Sequence, residues 1–395
     1  MPIFALITIL PCLLVGPAAF AGGAWAFWPV IYMTLLVTMT DRVIGANTDN
    51  ADPEAEFPAS EALLVGLGLA HFCVLGMAIW GVAGPSGLDL AERVALGAGA
   101  GLIFGQISHP VAHELIHKQT PMMRWLGQWM YTTLLAGHHA SAHLLIHHIH
   151  VGSDKDPNSA PRGENLYRYM ARVTRQSFLT AMTLETQRSI RAEKPIIRHP
   201  FILYIVGGLA TLIAVFMALG GIGVLAFLSI ALHAQIQILM SDYVQHYGLR
   251  RARLANGRLE PVGPLHSWNA PDAFSSFLMV NAPRHSDHHV SPNRDYPALQ
   301  LDPEEMPMLP YPLPIMGVIA LVPKLWFGLM NPLCDAWTSD RADLGKSRPK
   351  ERKVGRKISG QAQAHLAKSI HAQNVTSSFT AGSHTQRRSR ARDGR

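Results

Sequence analysis

Long apolar stretches constrain the fold of this chain more than any other feature of its sequence. Only 15% of the residues are charged, against about 25% in typical soluble domains. A helix needs about 20 apolar residues to cross a bilayer. The pattern therefore predicts an all-α, polytopic membrane protein with about six transmembrane helices. They are expected at residues 3–22, 24–40, 62–83, 92–112, 201–219 and 221–241.

Glycine pairs join the first two and the last two of these stretches. Gly22-Gly23 and Gly220-Gly221 predict tight turns, and hence two membrane hairpins. The first stretch can also be read as a signal peptide, because Ala-Phe-Ala-Gly at 19–22 resembles a cleavage site. No Lys or Arg precedes it, however, and a second apolar stretch follows at once, so we favour a membrane helix.

The distribution of basic residues predicts the orientation of the chain in a cell inner membrane. Residues 113–199 hold eleven Lys and Arg, and residues 242–395 are also basic. The turns near 22, 84–91 and 220 hold almost none. Since cytoplasmic loops carry the excess of positive charge, we expect both termini and both basic regions on the cytoplasmic side.

The composition changes near residue 340 and divides the chain in two. Residues 1–340 hold the apolar stretches and predict one membrane domain, whereas residues 341–395 are rich in Arg, Lys, Ser and Gln. Such a segment buries too little apolar surface to offset the entropy of ordering, which predicts a disordered basic tail. Much of the net charge of +7 lies in this tail, so the charge does not indicate nucleic acid as a partner.

The three cysteines form no CxxC motif, which excludes a disulfide framework and a rubredoxin-like module.

Histidine is frequent, with 20 in the chain, and nine of these fall into four clusters. Neutral imidazole is a ligand suited to iron, zinc, copper and nickel, and nine imidazoles exceed the four ligands of one zinc site. We therefore expect two metal ions with four or five histidines each. The predicted ligands are His113, His117, His143, His147, His148, His246, His285, His288 and His289.

Two other interpretations of the histidines stay open at this point. His113-Glu114-Leu115-Ile116-His117 matches the pattern of zinc metalloproteases, in which the glutamate is the general base. Such a protease adds one further ligand, rather than six or seven. A metal transporter would place its ligands near the bilayer midplane, whereas these clusters lie near the predicted cytoplasmic boundary, where we expect a helical cap.

The clusters and their neighbours resemble the membrane-bound alkane 1-monooxygenase family, within the membrane fatty acid desaturase/hydroxylase superfamily. The resemblance extends over roughly residues 35–340, and all nine ligand positions of the family carry histidine here. The segments that carry it are His113-Glu-Leu-Ile-His117-Lys118, His143 to His148 with Asp154-Lys-Asp156-Pro157, Tyr243 to Leu249, and Arg284-His-Ser-Asp-His-His289 followed by Pro292-Asn-Arg294-Asp-Tyr296.

Two positions depart from the family's pattern and affect the choice of substrate. Ala142 and Gln245 each stand directly before a clustered histidine, where the family usually has glutamate. Both departures also resemble the xylene monooxygenase branch, which oxidises aromatic methyl groups. The substrate therefore stays open between an alkane, an aromatic methyl compound and, for a lipid desaturase of the same superfamily, an acyl chain.

The resemblance implies a non-haem di-iron monooxygenase that inserts one oxygen atom from O2 into a C–H bond. Terminal hydroxylation of an alkane to a primary alcohol is the leading prediction. The implied cofactors are two iron ions, with O2 as a co-substrate. The implied electron donor is a rubredoxin or ferredoxin fed by an NAD(P)H reductase. Carboxylates should accept hydrogen bonds from the ligand imidazoles, and the candidates are Glu114, Asp242 and Asp287.

Overall fold

The structure, a computed structural model, describes residues 1–344 of the chain. Within them it is built from helices and contains no β-strand, only three isolated bridges. The predicted all-α class is confirmed. Residues 345–395, which make up nearly all of the predicted basic tail, lie outside the described part, so the tail stays a prediction.

Helices α1 to α12 follow one another through the described chain. Their bounds are α1 (Pro2–Phe20), α2 (Gly23–Ile44), α3 (Pro58–Ala83), α4 (Leu90–His117), α5 (Pro121–Thr133), α6 (138–150), α7 (Leu166–Arg191), α8 (Pro200–His246), α9 (Ala273–Leu278), α10 (His285–Val290), α11 (Leu313–Ala320) and α12 (Pro323–Leu344). Helices α1 to α4 and α8 are long and apolar enough to span a membrane. Several of their large apolar side chains are exposed, as Leu13 (65%) and Ile213 (62%) illustrate, which suits a lipid environment.

Helix α8 contains two membrane-length segments that meet at Gly220. The backbone there has φ 65° and ψ −160°, in the region that favours glycine. Gln235, after this break, donates from Nε2 to the carbonyl oxygen of Leu134 at 2.8 Å. Gly208, before the break, packs against Leu135. The two segments therefore lie side by side. The five helices of membrane length thus supply six membrane-length segments when α8 is counted as two, which agrees with the prediction of about six.

Helix α4 packs closely against the second segment of α8 through glycines. A methyl group on Gly101 would overlap the ring of His233, and one on Gly105 would overlap Cβ of Gln237. Small residues at such positions let membrane helices approach closely. Of these two contacts, the one of Gly105 against Gln237 lies eight residues before His113 and nine residues before His246.

Replacing Gly101 by alanine should destabilise the protein by about 1–3 kcal/mol, because the added methyl group forces α4 and α8 apart. Gly97→Ala is the matched control, since its methyl group would lie 3.5 Å from Cγ2 of Val82, an ordinary contact. Both substitutions gain the same helix propensity, so their difference reports packing. The thermal unfolding midpoint of the detergent-solubilised variants measures it. Equal midpoints would contradict the packing described above.

A second apolar core holds the end of α8 in place beyond the membrane helices. Tyr243 of α8 packs between Tyr169 of α7 and Trp326 of α12, with ring centroids 5.2 and 5.1 Å apart. All three side chains are fully buried. Because His246 is one turn beyond Tyr243, this aromatic packing determines where His246 points.

Candidate metal centre

The nine predicted histidines meet in two groups near the ends of α4 and α8. In each group, one imidazole nitrogen of every member lies within 4.8 Å of the others. We name them the five-histidine group and the four-histidine group. The five-histidine group is His113, His117, His143, His148 and His288, and the four-histidine group is His147, His246, His285 and His289.

The two groups are immediate neighbours, because consecutive residues belong to different groups. His147 and His148 have ring centroids 6.0 Å apart, and those of His288 and His289 are 5.8 Å apart. Both groups therefore take side chains from the short helices α6 and α10. Two metal ions held here would lie side by side.

A π-helical turn from His143 to His147 explains how α6 serves both groups. In a regular α-helix, residues four apart share a face, which would place these two imidazoles together. The wider π-turn aligns residues five apart instead. Accordingly, His143 and His148 share a group, with their Nε2 atoms 2.8 Å apart. Such turns occur frequently at functional sites.

The spacing of the nitrogen atoms fits ligands of one ion. Nε2 of His148 lies 2.8 Å from Nε2 of His143 and 3.2 Å from Nε2 of His288. The corresponding distances in the four-histidine group are 3.0 and 3.2 Å. With metal–nitrogen bonds of about 2.0–2.1 Å, two ligands at right angles lie about 3 Å apart. The donor set therefore fits a metal in each group.

Several of these nitrogens are buried without a hydrogen-bond partner. Nε2 of His113, His117 and His147 each lacks one within the described structure. Burying a polar atom without a partner costs free energy, and a bound metal ion would remove this cost. The unpaired atoms are therefore a second observation that fits metal ligation.

Asp156 holds His147 in the form that can bind a metal. Its Oδ2 is 2.9 Å from Nδ1 of His147, and it also accepts a 2.6 Å hydrogen bond from Oγ of Ser159. When Nδ1–H donates to the carboxylate, the lone pair of Nε2 is left for the metal. Asp156 is not among the predicted acceptors. The signal that could have indicated it is its place in the second cluster segment, nine residues after His147.

Glu114 lies between the imidazoles of two members of the five-histidine group. Its Oε1 is 4.0 Å from Nδ1 of His113 and 3.9 Å from Nδ1 of His288. Both distances exceed the length of a hydrogen bond. The predicted acceptor is therefore close to the ligands, but it makes no direct hydrogen bond to them here.

Asp242 and Asp287 bind groups other than imidazoles. Oδ2 of Asp242 accepts from Nδ2 of Asn158 at 2.5 Å. Oδ2 of Asp287 accepts from Nη1 of Arg294 and from the backbone N–H of Gln300, at 2.5 and 2.9 Å. Among residues 1–344, neither carboxylate accepts a hydrogen bond from a histidine of either group. Instead, they bind segments that neighbour these histidines.

The surroundings favour the neutral form of most imidazoles in the two groups, as metal binding would require. Burial, reinforced by neighbouring imidazoles, lowers the pKa of His143, His148, His285 and His288 well below its usual value. His147 differs from them. Burial alone would lower its pKa, but the carboxylates of Asp156 and Asp242 together outweigh burial and raise it.

Comparison with known proteins now identifies the family. The fatty acid desaturase family model matches residues 92–316. Alkane 1-monooxygenase 2 of Pseudomonas aeruginosa is 30% identical over 323 residues, which cover 80% of this chain and 85% of the relative. The chain belongs to the alkane 1-monooxygenase family. Alkane 1-monooxygenase 1 of Alcanivorax borkumensis is also 30% identical, over 82% of this chain and 81% of the relative.

Membership of the alkane 1-monooxygenase family makes this chain an oxidoreductase and confirms the predicted resemblance. The xylene branch is also similar. The hydroxylase component of xylene/toluene monooxygenase of Pseudomonas putida is 26% identical over 242 residues, 60% of this chain and 63% of the relative. The matches to the two alkane enzymes are longer and closer than this one.

A cleft between α4 and α8 leads to both histidine groups. It is lined by His113 of the five-histidine group and by His285 of the four-histidine group. Its walls further along include Gln106 of α4, Met240 of α8 and Leu313 of α11. In a member of this family, a cleft that reaches both histidine groups is the candidate substrate site.

Two further histidines lie beside the five-histidine group without joining it. His109 has its ring centroid 6.2 Å from that of His113, and His139 lies 5.6 Å from His143. Nδ1 of His109 is 2.9 Å from the hydroxyl oxygen of Tyr131. Both imidazoles are buried. The contacts of His109 show that it packs directly behind His113, a predicted ligand.

Proposed function

We propose that this chain is a non-haem di-iron monooxygenase that hydroxylates the terminal methyl group of an alkane to a primary alcohol. The convergence of nine mostly buried histidines in two adjacent groups carries this proposal, together with membership of the alkane 1-monooxygenase family. The reaction consumes one O2, two electrons and two protons. One oxygen atom enters the alcohol and the other leaves as water.

The five-histidine group and the four-histidine group would each hold one iron ion. Bound iron would supply the O2 chemistry that no side chain can perform. The chain's own residues hold the ligands, exclude water and orient the substrate. Asp156 would keep the Nδ1 proton of His147 in place, while packing of α7 and α12 against α8 orients His246.

The substrate would enter from the bilayer and lie along the cleft between α4 and α8. Its methyl end would point to His113 and His285, one member of each group. Apolar side chains such as Met240 and Leu313 would contact its hydrocarbon chain. A membrane location of the cleft suits a substrate that partitions into lipid.

Electrons would come from a rubredoxin or ferredoxin that is reduced by an NAD(P)H reductase. The donor would dock on the cytoplasmic face of the inner membrane, where the basic region at 113–199 would meet an acidic partner. Both termini of the chain would lie on the same side. This orientation rests on the distribution of Lys and Arg in the sequence.

Hydroxylation of an aromatic methyl group is the second candidate function. Ala142 and Gln245, together with the similarity to the xylene/toluene enzyme, favour it. Gln245 lines the cleft, where its Nε2 donates to the carbonyl oxygen of Ala282 at 3.1 Å and its Oε1 accepts from Ser241 at 2.9 Å. The amide of Gln245 thus lines the proposed substrate site, where it would contribute to substrate specificity.

Whole-cell conversion distinguishes these functions. Cells that express the chain with a rubredoxin and its reductase are fed octane, xylene or a saturated fatty acid. We expect 1-octanol as the first oxidation product of octane, and no product from cells that carry the His288→Ala variant. Methylbenzyl alcohol alone would assign the chain to the aromatic branch, and an unsaturated fatty acid would indicate a desaturase.

Metal analysis of the purified protein is a separate test. About two Fe per chain, one for each group, would support an oxygenase, whereas a single Zn would support the protease interpretation.

A further inference from the structure

Polar side chains form two stripes along the cleft, one on each wall. On α4, Gln106 and His109 continue the line that ends at His113; on α8, Gln237 and Ser241 continue to Gln245. All of these side chains line the cleft, so each stripe faces its interior. A site built only for a saturated hydrocarbon needs no such stripes.

Gln106 lies away from the two histidine groups, and its hydrogen bonding is incomplete. Its side chain is only 8% exposed, and its Oε1 is buried without a partner. Its Nε2 lies 3.4 Å from Oε1 of Gln237, which is longer than a typical hydrogen bond. Bonding between the two helices therefore leaves an acceptor unused at the wall of the cleft.

The position of Gln237 depends on the glycine opposite. A methyl group on Gly105 would overlap Cβ and Cγ of Gln237. The absence of a side chain at Gly105 lets the stem of Gln237 lie against α4, and the amide then reaches the cleft beside Gln106. Two amides therefore face the same part of the cleft, one from each helix.

The amide pair lies at a defined distance from the proposed site of oxidation. Gln106 and His113 are seven residues apart, and the segment between them begins in the π-turn Phe104–Ser108. A regular rise of about 1.5 Å per residue therefore sets about 10 Å as the upper limit of their separation along the helix. A molecule in the cleft can thus touch the amides at one end and the metal ligands at the other. A group that donates a hydrogen bond to Oε1 of Gln106 would satisfy the unused acceptor.

We propose that the cleft selects hydrophobic substrates that carry a hydroxyl group about 10 Å from the methyl carbon to be oxidised, and that Gln106 and Gln237 bind this hydroxyl. This inference rests on the proposed function. Medium-chain primary alcohols belong to this class, and their hydroxylation would give α,ω-diols. As with an alkane, one O2, two protons and two electrons from the carrier protein yield the new hydroxyl group and one water.

Competition between octane and 1-octanol tests the inference. Membranes that contain the full-length chain and its electron donor receive equal amounts of 13C-labelled octane and unlabelled 1-octanol. The ratio of unlabelled 1,8-octanediol to labelled oxidation products is measured. Wild-type protein should favour 1-octanol, and Gln106→Met should lower the ratio by about tenfold, because the hydroxyl loses its acceptor.

Gln235→Met is the matched control, because Gln235 also lies in α8 but donates to the carbonyl oxygen of Leu134 outside the cleft. Its ratio should equal that of wild-type protein. If Gln106→Met does not accumulate in membranes, Gln237→Met performs the same test from the other wall and should show the same fall.

The possible outcomes separate the inference from the function on which it rests. If wild-type protein oxidises octane but does not favour 1-octanol, the inference is overturned and the proposed function stands. An unchanged ratio in the Gln106→Met or Gln237→Met protein also overturns it. If neither compound yields any product while iron is present, the proposed function itself fails.

Discussion

Replacing His288 by alanine should reduce the iron content from about two ions per chain, one for each group, to one or fewer, and should abolish hydroxylation. His288 contributes Nε2 to the five-histidine group, 3.2 Å from Nε2 of His148. Its ring centroid lies 4.3 Å from that of His113. The side chain is 1% exposed, so water cannot readily replace the lost ligand. The membrane helices do not depend on this residue, and the variant should still insert.

His150→Ala is the matched control for this substitution. His150 belongs to the same cluster segment and stands two residues after His148, but its side chain is in neither group. Iron per chain and product formation should therefore remain close to the wild-type values. Both quantities are measured on protein purified from membranes. Full iron content and activity in the His288→Ala variant would refute the ligand assignment.

Replacing Asp156 by alanine should lower metal affinity or hydroxylation activity by about 10–100-fold, the usual cost of removing a carboxylate behind a ligand histidine. The carboxylate is 2% exposed and bonds Nδ1 of His147 at 2.9 Å. Without it, the imidazole can rotate or carry its proton on the wrong nitrogen. Asp156→Asn should recover part of the loss, because its amide oxygen still accepts from Nδ1–H.

Asp154→Ala controls for removing a negative charge nearby, since the Asp154 side chain is 95% exposed and lies 3.7 Å from Arg250. It should bind iron as wild-type protein does. Affinity is measured by competition with an iron chelator, and the thermal unfolding midpoint shows whether each variant is folded. Asp156→Ala and Asp154→Ala proteins with equal iron affinity would show that Asp156 does not position His147.

The local pattern of residues was sufficient to predict the membrane helices. A bilayer requires every backbone hydrogen bond to be made within a helix or closed barrel, so apolar stretches of this length leave few alternatives. The glycine pair at 220–221 also indicated the reversal of α8, because the required backbone conformation is available chiefly to glycine. Spacing along the chain likewise identified the nine histidines that the structure brings together.

The sorting of those histidines into groups required the tertiary structure. Periodicity along α6 places His143 and His147 on one face, whereas the π-turn separates them and brings His143 to His148 instead. The approach of α10 then assigns His288 and His289 to different groups. No local pattern reveals these choices, since they depend on contacts between segments far apart in the chain.

The sequence by itself determined that this is an all-α membrane protein with a histidine-rich centre, because hydropathy and residue spacing are local properties. Only the tertiary structure decided that Asp156 bonds His147, that Asp242 and Asp287 accept no hydrogen bond from the nine histidines, and that two amides face the cleft. Each of these outcomes depends on which helix lies opposite. That arrangement follows from packing of the whole chain, in which Gly101 and Gly105 bring α4 against α8.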